Sequence, residues 1–331
     1  MGMDGTRILV AGGLGFIGST LVHRLVGLGA QVTVVDNLYP SYGGNRWNIE
    51  GIADRVRVEI GDVRNLALTE SLVRGQDLVL NLAGQTSHWD SMVDPIMDLD
   101  VNARAQLCIL EAIRHRSPGT RLVYAGTRQV YGRPVRIPVD EEHPLSPVDV
   151  NGIDKLAGEQ FHTLYDQVYG IRSIVLRLTN IVGPRMRIKD ARQTFLGTWI
   201  GALMRGQPFE VWGGDQLRDF VDVEDSVDAF LMAIEALAPA TLRTDRPRIF
   251  NVGSREGYDL RSVAEMLVEA YGGGAFRVVD FPEDRKSIDI GDYTTDATRI
   301  ERSLGWRPRV PLAATLARTI RYYREHFSHY A

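Results

Sequence analysis

The sequence predicts an α/β fold in which a doubly wound parallel sheet is followed by a smaller C-terminal α+β substrate domain. Short, apolar, β-branched runs alternate with helical patterns through the first half of the chain, which is typical of a parallel sheet covered by helices on both faces. After about Gly183 this rhythm stops, and helical patterns are separated by Gly/Pro-rich loops and short strands. We therefore predict one domain over residues 1–180 and a second over 181–331, with segments around 220–252 returning to the first.

The predicted elements follow from the period of the apolar residues. Strands are short continuous apolar runs, as expected for strands buried on both faces. They are Arg7–Ala11, Val32–Val35, Val56–Ile60, Leu78–Leu82, Leu122–Ala125 and Ser173–Leu178. Helices show apolar residues at helical spacing. They are Phe16–Leu28, Val101–Arg114, Ile153–Tyr169, Thr194–Arg205, Val223–Leu237, Leu260–Tyr271 and Leu312–Phe327.

The composition restricts the class of protein. The chain has 331 residues, of which 44% are hydrophobic and 24% charged, and its formal net charge is −4. No apolar run approaches the ~20 residues that cross a bilayer, and the N-terminus shows no signal-peptide pattern. We expect a cytoplasmic protein that binds neither membranes nor nucleic acids, because its charge balance is mildly acidic. The single cysteine, Cys108, and the scattered histidines predict no metal site.

The first predicted strand runs into a glycine-rich turn that opens a helix. The turn reads Gly12-Gly13-Leu14-Gly15-Phe16-Ile17-Gly18. Glycine is needed where the backbone turns sharply against a pyrophosphate, and the helix N-terminus offers N–H donors to the phosphates. The second strand ends in Asp36-Asn37, where a carboxylate accepts hydrogen bonds from the adenosine ribose and repels a 2′-phosphate. This context predicts a Rossmann-like site for NAD rather than NADP. Asp62-Val63 follows the third strand and is placed by the adenine, where Asp62 could also cap a helix.

Further motifs occur in the order found in a known family. They are Asn81-Leu82-Ala83-Gly84, Asn102, Thr127, Val130-Tyr131-Gly132, Lys155-Leu156-Ala157-Gly158-Glu159, Arg177-Leu178-Thr179-Asn180, Gly183-Pro184-Arg185, Arg218-Asp219-Phe220 and Leu304-Gly305-Trp306-Arg307-Pro308. By these motifs the chain resembles the extended short-chain dehydrogenases/reductases, in particular the NAD-dependent nucleotide-sugar epimerases, dehydratases and decarboxylases. The resemblance implies an NAD-binding Rossmann domain, a nucleotide-sugar domain, and a homodimer formed by the predicted helices over 101–114 and 153–169. It adds Leu82, Ala83, Gly84 and Lys155 to the cofactor site.

The resemblance also implies a reaction that begins with hydride transfer from a sugar carbon to NAD. Such a step needs a base for the hydroxyl proton, a second hydrogen bond to the same oxygen, and a cation near the nicotinamide. The family uses a tyrosine, a Ser/Thr, and a lysine four residues after the tyrosine. Thr127 and Lys155 match this pattern, and Lys155 is one of only three lysines in a chain with 35 arginines. Four residues before Lys155, however, the chain has Asn151.

Asn151 can orient an oxygen by hydrogen bonding but cannot accept a proton at neutral pH. The loss of a general base costs about 10²–10⁴ in rate. We hypothesise that proton transfer moves to water or to the segment Gln85–Ser91, a predicted loop at the carboxyl edge of the sheet. His88 has a suitable ordinary pKa, and Asp90 offers a carboxylate. The alternatives are a surface or packing role for His88 and a helix cap for Asp90, and we interpret Tyr131 as structural.

The nucleotide sugar, expected to be a UDP-sugar, is predicted to meet a set of polar and basic residues. Arginine's planar fork suits a diphosphate, and by resemblance Asn180, Arg218 and Arg285 contact it. Arg185 and Arg192 are further candidates, which could also belong to a solvated basic face. The complete predicted substrate set is Gln85, Thr127, Arg128, Asn180, Arg185, Arg192, Arg218 and Arg285.

The residues after Thr127 bear on the outcome of the reaction. Dehydratases of the family carry Asp-Glu there and the decarboxylases keep the glutamate, whereas this chain has Arg128-Gln129. This favours epimerisation at C4 through a transient keto-sugar. Stretches at 183–192 and 285–290 nevertheless resemble UDP-glucuronate decarboxylases, and Arg128 could place a cation by the sugar. A decarboxylase, a 4,6-dehydratase-like enzyme and a uronate substrate therefore stay open, as does a non-catalytic protein that binds NAD and a nucleotide sugar.

Overall fold

A computed structural model describes residues 2–42, 44–190, 192, 194–238 and 248–331. The strands are β1 (Arg7–Ala11), β2 (Gln31–Asp36), β3 (Arg57–Ile60), β4 (Leu78–Asn81), β5 (Arg121–Thr127), β6 (Ser173–Leu178), β7 (Asn180–Val182), β8 (Phe209–Trp212), β9 (Leu217–Arg218), β10 (Phe220–Asp222), β11 (Ile249–Val252), β12 (Tyr258–Asp259) and β13 (Phe276–Val279). The helices are α1 (Phe16–Gly27), α2 (Leu66–Val73), α3 (His88–Val93), α4 (Pro95–Leu99), α5 (Ala105–Arg116), α6 (Val150–Tyr169), α7 (Phe195–Met204), α8 (Val223–Ala236), α9 (Leu260–Tyr271), α10 (Thr298–Leu304) and α11 (Leu312–His326). A π-helical segment, Asp100–Arg104, joins α4 to α5.

Among the described residues, seven strands form one sheet in the order β11-β6-β5-β4-β1-β2-β3. Every neighbouring pair is parallel. The chain direction across the sheet reverses at β1, which pairs with β2 on one side and β4 on the other. Doubly wound sheets bind their ligands at such a switch point, beyond the carboxyl ends of the strands. The predicted fold class is confirmed.

Side chains of the strands alternate between two apolar cores. In β1, Ile8 and Val10 belong to one core, which α1 and α8 cover. Leu9 and Ala11 belong to the other, which residues of α2 and α5 cover. Helices on both faces explain why the strands are apolar at every position rather than at every second one.

The C-terminal region is built on three two-stranded pairs, β10–β7, β12–β9 and β13–β8, with α7, α9 and α11 beside them. Most of its buried apolar residues continue the first core, whereas Ile290 and Tyr293 form a small separate cluster with Val130, Tyr131 and Val139. The indole of Trp306 is fully buried and donates to the carbonyl oxygen of Asp225 on α8 at 2.8 Å. Strand β11 from this half of the sequence pairs with β6 and completes the large sheet.

Four short α-helices of the described residues lie beyond the predicted set: α2, α3, α4 and α10. Each has eight residues or fewer, so it offers too few turns for a readable hydrophobic period. The prediction of a loop over Gln85–Ser91 is wrong at its C-terminal end. Helix α3 begins there because the Ser87 hydroxyl caps it, accepting a hydrogen bond from the Asp90 N–H at 3.1 Å.

No helix in the described part of the chain combines the length and the apolar character needed to span a bilayer.

Candidate active site

The glycine turn between β1 and α1 has no room for side chains. Gly12 has a φ of +76°, and a Cβ there would lie 2.9 Å from the carbonyl carbon of Leu82. A Cβ on Gly18 would clash with the carbonyl oxygen of Gly12. Helix α1 begins after Gly15, which has no side chain to cap the first N–H groups. The turn thus presents helix N-terminal donors to a ligand that comes close to the backbone, as a pyrophosphate does.

Asp36 lies at the end of β2 beside this turn. Its carboxylate accepts hydrogen bonds from the backbone N–H of Leu14 at 3.1 Å and of Leu38 at 2.9 Å. Burial raises the pKa of Asp36 above its ordinary value, and these two hydrogen bonds oppose the shift. The carboxylate is therefore held in place at the strand end, where a ribose hydroxyl can donate to it.

Asp62 is held by a neighbour that the sequence analysis does not single out. Arg64 donates to both of its oxygens, from Nε at 2.9 Å and from Nη2 at 2.6 Å. Asn37 donates to the same carboxylate at 3.2 Å. The hydrogen bonds from Arg64 lower the pKa of Asp62 to about 2. Asp62 is thus an ionised acceptor whose oxygens are already engaged.

An open cleft lies against this edge of the sheet. Phe16, Ile17 and Gly18 form the first turn of α1 beside it, and Lys155 is buried on α6. The glycine cradle and the fixed carboxylate at the end of β2 fit a dinucleotide. Nine of the thirteen residues predicted to bind the cofactor line the cleft: Gly12, Gly15, Asp36, Asn37, Asp62, Val63, Leu82, Ala83 and Gly84.

Lys155 is buried beneath this cleft. Its Nζ donates to the carbonyl oxygen of Ala125 at 3.3 Å and lies 5.2 Å from the ring centre of Tyr124. A Cβ on Gly84 would lie 2.8 Å from Nζ, so a larger residue there would displace the Lys155 ammonium group. Burial lowers the pKa of Lys155 to about 8, and the charge of Asp98 opposes the shift. The ammonium group can therefore lose its proton slightly above neutral pH.

Asn151 lies one helical turn before Lys155 and faces the protein interior. It is 2% exposed, and its Nδ2 donates to the carbonyl oxygen of Gln85 at 2.9 Å and to Oδ2 of Asp98 at 3.3 Å. Asn102 also bonds to Gln85, donating to its carbonyl oxygen and accepting from its N–H, each at 3.1 Å. Both N–H groups of Asn151 are used, so this side chain holds the segment after β4 in place.

Two carboxyl groups meet behind Asn151. Asp98 is 1% exposed and Asp154 is 4% exposed. Oδ2 of Asp154 is buried and has no hydrogen-bond partner. Burial raises the pKa of Asp154, and its hydrogen bond with Asp98 and the charge of Asp98 raise it further. Asp154 therefore binds its proton more tightly than an isolated aspartate does.

His88 begins α3 and contacts a buried carboxylate. Its Nδ1 lies 2.9 Å from Oδ2 of Asp149, whose side chain is fully buried, whereas that of His88 is 40% exposed. Asp149 also caps α6, accepting from the N–H of Gly152 at 2.6 Å, and accepts from Nε2 of Gln129 at 2.9 Å. The N–H of Gln129 in turn donates to Oγ1 of Thr127 at 3.2 Å. Burial would raise the pKa of Asp149, but the contact with His88 and these hydrogen bonds lower it.

Asp90 is engaged differently from His88. Its Oδ2 lies 2.8 Å from Nε of Arg192, and a second guanidinium nitrogen of Arg192 lies 3.0 Å from Asp190. This arrangement neutralises the charge of Asp90 and places Arg192 in an ion-pair network. Of the two candidate bases, only His88 is thus brought against the start of α6.

Three of the predicted substrate residues, Arg128, Asn180 and Arg218, lie close together. Arg128 donates from Nη2 to Oδ1 of Asn180 at 3.1 Å, and its guanidinium lies 5.0 Å from the ring centre of Tyr293. Arg218 is 7% exposed, lies 3.0 Å from Asp289, and has a pKa that burial lowers to about 10.

Three other predicted substrate residues, Arg285, Arg185 and Gln85, contact residues outside the group of Arg128, Asn180 and Arg218. The Arg285 guanidinium stacks on Trp89, 3.8 Å from the ring centre, and so joins the C-terminal region to α3. Arg185 lies over the ring of Tyr322 on α11, at 6.0 Å. The Gln85 amide is used locally, because its Nε2 donates to the carbonyl oxygen of Ser87 at 2.8 Å. The described residues contain no group of three or more His, Cys, Asp or Glu side chains placed to hold a metal ion.

Sequence reasoning misses Asp149, Tyr293 and Trp89. Asp149 had a readable signal, because an aspartate three residues before Gly152 at the start of a helical pattern is typical of an N-cap. Its contact with His88 gives no local signal. Tyr293 and Trp89 reach the site through tertiary contacts, which one sequence does not display.

Comparison of the sequence with known protein families and proteins agrees with the predicted family resemblance. The model of the NAD-dependent epimerase/dehydratase family matches residues 8–253. A UDP-glucose 4-epimerase from Mycolicibacterium smegmatis is 30% identical over 322 residues, which cover 96% of this chain and 98% of that protein.

Two solved structures extend the likeness to the whole fold. A UDP-glucose 4-epimerase from Thermotoga maritima, solved with UDP-glucose, is similar with a TM-score of 0.84 and 26% identity, covering 97% of this chain and 100% of that one. A dTDP-glucose 4,6-dehydratase from Streptomyces venezuelae, solved with NAD, gives a TM-score of 0.86 and 27% identity, covering 98% of each chain.

Proposed function

This chain belongs to the NAD-dependent epimerase/dehydratase family, and on that premise we propose that it is an epimerase acting at C4 of a UDP-sugar through a transient keto-sugar. The observation that carries the proposal is the contact of His88 with the buried carboxylate of Asp149. It offers a base at the start of α6, where Asn151 replaces the family's tyrosine. NAD is the cofactor, and when bound it supplies the oxidation and reduction of the sugar carbon.

The residues that would hold the cofactor are those of the cleft. Backbone N–H groups after Gly12 and Gly15 face the phosphates, and Asp36 accepts from the adenosine ribose. Lys155 provides a positive charge beneath the reacting end of the cleft, where a cation favours the deprotonated form of a nearby hydroxyl. We propose that it donates to the cofactor ribose, a role for which its position against Gly84 is suited.

His88 receives the proton of the sugar hydroxyl in this proposal. Because Nδ1 faces the Asp149 carboxylate, the tautomer with its proton on Nδ1 is favoured, and Nε2 is left as an acceptor. Nδ1 is buried and, although it lies 2.9 Å from Asp149, makes no well-aligned hydrogen bond; the side chain is 40% exposed, so the accessible part of the imidazole is the remainder of the ring. Thr127 Oγ1 supplies the second hydrogen bond to the same sugar oxygen.

The segment after Thr127 supports epimerisation over dehydration. A dehydratase needs an acid and a base to remove water from neighbouring carbons. Arg128 and Gln129 occupy those positions here, and Gln129 is bonded to Asp149 through its amide. Returning the hydride to the opposite face of the keto-sugar needs only the base already used, because the proton goes back from Nε2 to the oxygen.

The test compares His88→Gln with the wild type, with NAD bound. Glutamine keeps a donor for Asp149 but cannot take a proton, so kcat for interconversion of UDP-glucose and UDP-galactose should fall by about 10²–10⁴. Asp149→Asn should lower kcat as well, while α6 stays intact because asparagine is an equally good N-cap. The products are quantified by NMR, and UDP-sugar affinity is measured by calorimetry.

The matched control is His115→Gln, which changes a histidine that is 53% exposed on α5 and should leave kcat unchanged. Full turnover in both His88→Gln and Asp149→Asn would remove these residues from the proposal and leave water as the proton acceptor. No turnover of any UDP-sugar by the wild type, with intact binding, would favour the non-catalytic protein that Asn151 makes conceivable.

We further propose that the protein is a homodimer that uses α6, as the resemblance implies, with α4 in place of the predicted helix over 101–114, whose described residues include no large exposed apolar side chain. Ile96 on α4 is 68% exposed, and Ile153 and Val168 on α6 are 53% and 60% exposed. Large apolar side chains grouped on neighbouring helices mark an interaction surface. Sedimentation of the wild type should give a dimer and that of Ile153→Glu a monomer, and a monomeric wild type would exclude the proposal. A cytoplasmic location stays a prediction.

A further inference from the structure

Arg128 carries hydrogen-bonding capacity that the protein does not use. Nη2 donates to Asn180, but Nη1 is a buried atom without a hydrogen-bond partner. Leaving a buried charged donor unpaired costs more than leaving a neutral group unpaired, and native proteins rarely do so. A ligand that accepts from Nη1 would remove this cost.

The neighbouring carboxylates do not take up this capacity. Asp219 accepts hydrogen bonds from the Thr179 hydroxyl and, at 3.0 Å, from the N–H of Ser254. Asp289 accepts from Arg218 at 3.0 Å and from the N–H of Gly291 at 3.0 Å. Among the described residues, no ion pair joins Arg128 to either of them. Both are close enough to favour its charged form, which burial disfavours.

The guanidinium is also held in a fixed orientation. It lies over the Tyr293 ring at 5.0 Å and is tied to Asn180 at 3.1 Å. A planar guanidinium fixed on one face presents its N–H groups in one plane, which suits the two oxygens of a carboxylate. Arg128 directly follows Thr127, the residue that we place at the oxygen of the reacting carbon. An anionic group bound to Arg128 would therefore lie beside Asn180, which follows the neighbouring strand β6.

We propose that Arg128 forms, with Asn180 and Tyr293, a subsite for a carboxylate on the sugar, so that the substrate class is a nucleoside-diphosphate uronate. This inference rests on the proposed function, because it assumes that a nucleotide sugar occupies the site. The same N–H groups could also receive a phosphate oxygen of the diphosphate. In that case Arg128 would bind the diphosphate of every nucleotide sugar equally well.

Direct binding tests the proposal without relying on turnover. Calorimetry on the protein with NAD bound compares UDP-glucuronate, UDP-glucose and UDP, for the wild type and for Arg128→Gln. Glutamine keeps one donor for Asn180 but lacks the charge and the fork. We expect the wild type to bind UDP-glucuronate at least tenfold more tightly than UDP-glucose, and Arg128→Gln to abolish that preference by losing about 10–100-fold for the uronate alone.

The control variant is Arg277→Gln, which removes one positive charge from a side chain that is 73% exposed, and should keep the preference. Equal wild-type affinity for the uronate and the neutral sugar overturns the subsite but leaves the proposed function standing. An equal loss for all three ligands in Arg128→Gln, with unchanged thermal unfolding, assigns Arg128 to the diphosphate and also overturns it. Failure of every nucleotide sugar to bind overturns the proposed function and this inference together.

Discussion

The cofactor cleft and the reacting end of the site (His88, Thr127, Asp149, Asn151 and Lys155) are built in different ways. In the cleft the shape comes from the main chain: Gly12 lies against the carbonyl of Leu82, and Asp36 is held by two backbone N–H groups. At the reacting end the shape comes from side chains that meet from distant segments, as His88 and Asp149 do.

This difference explains which half keeps the family pattern. A backbone cradle tolerates few substitutions, because a Cβ added at Gly12 or Gly18 meets another part of the main chain. A side-chain cluster can be changed one residue at a time, provided that buried polar groups find new partners. Asn151 does so through Gln85 and Asp98, and the Asp149 carboxylate contacts a histidine outside the family motif.

The largest effect is expected from a methyl group in the cradle. Gly18→Ala places a Cβ against the carbonyl oxygen of Gly12, so the turn must move. We expect NAD affinity to fall by more than about 100-fold and stability to fall by about 1–3 kcal/mol, the usual cost of overpacking. Calorimetry with NAD and thermal unfolding measure the two quantities.

Gly27→Ala is the matched control, because it changes the last residue of the same helix, where an added Cβ meets nothing within 4 Å. It should bind NAD normally and gain up to about 1 kcal/mol of stability. If Gly18→Ala bound NAD as well as Gly27→Ala does, the cleft would not be shaped by the main chain, and the contrast between the two regions would fail.

The same contrast decides what could be predicted from sequence. The positions of the predicted strands, the glycine turn and the carboxylate after β2 follow from local backbone demands, which a single sequence records. The contacts of His88 with Asp149 and of Arg128 with Tyr293 join residues far apart in the chain, and no local pattern reports them. Helices α2, α3, α4 and α10 escape prediction because they are too short to show a period. The sequence does not show which of His88 and Asp90 is the better candidate base. The ion pair that engages Asp90 joins it to Arg192, far away in the chain.

A second prediction sharpens the comparison through Lys155, the residue that links the two regions. Its pKa is lowered by burial to about 8, so the ammonium loses its charge as the pH rises through that value. If the charge is required, kcat should fall about tenfold per pH unit above pH 8. A pH–rate profile measures this, with Lys286→Met as the control, because Lys286 is a 55% exposed side chain paired with Glu283. A rate that stays constant well above pH 8 would mean that Lys155 acts by its hydrogen bonds alone.

The smallest effect concerns the stability cost of the carboxyl pair behind Asn151. The pKa of Asp154 in the folded protein is raised, by burial first and then by Asp98, above the ordinary value of about 3.9. A raised pKa means that Asp154 contributes most to stability below pH 4, and that this contribution is lost as the pH rises through the raised pKa. Asp154→Asn removes the titration and can donate to Asp98.

The variant should therefore be more stable than the wild type by about 1–3 kcal/mol at pH 8, and the difference should vanish near pH 4. Urea unfolding at the two pH values measures it, with Asp215→Asn as an exposed control that should show no such change. A stability difference that is the same at both pH values would mean that the pKa of Asp154 is not raised in the folded protein. If the difference follows the expected course, the reacting end retains a destabilising pair of acids. The cradle contains no comparable pair among its described residues, and a protein keeps such a cost where the residues serve the reaction rather than the fold.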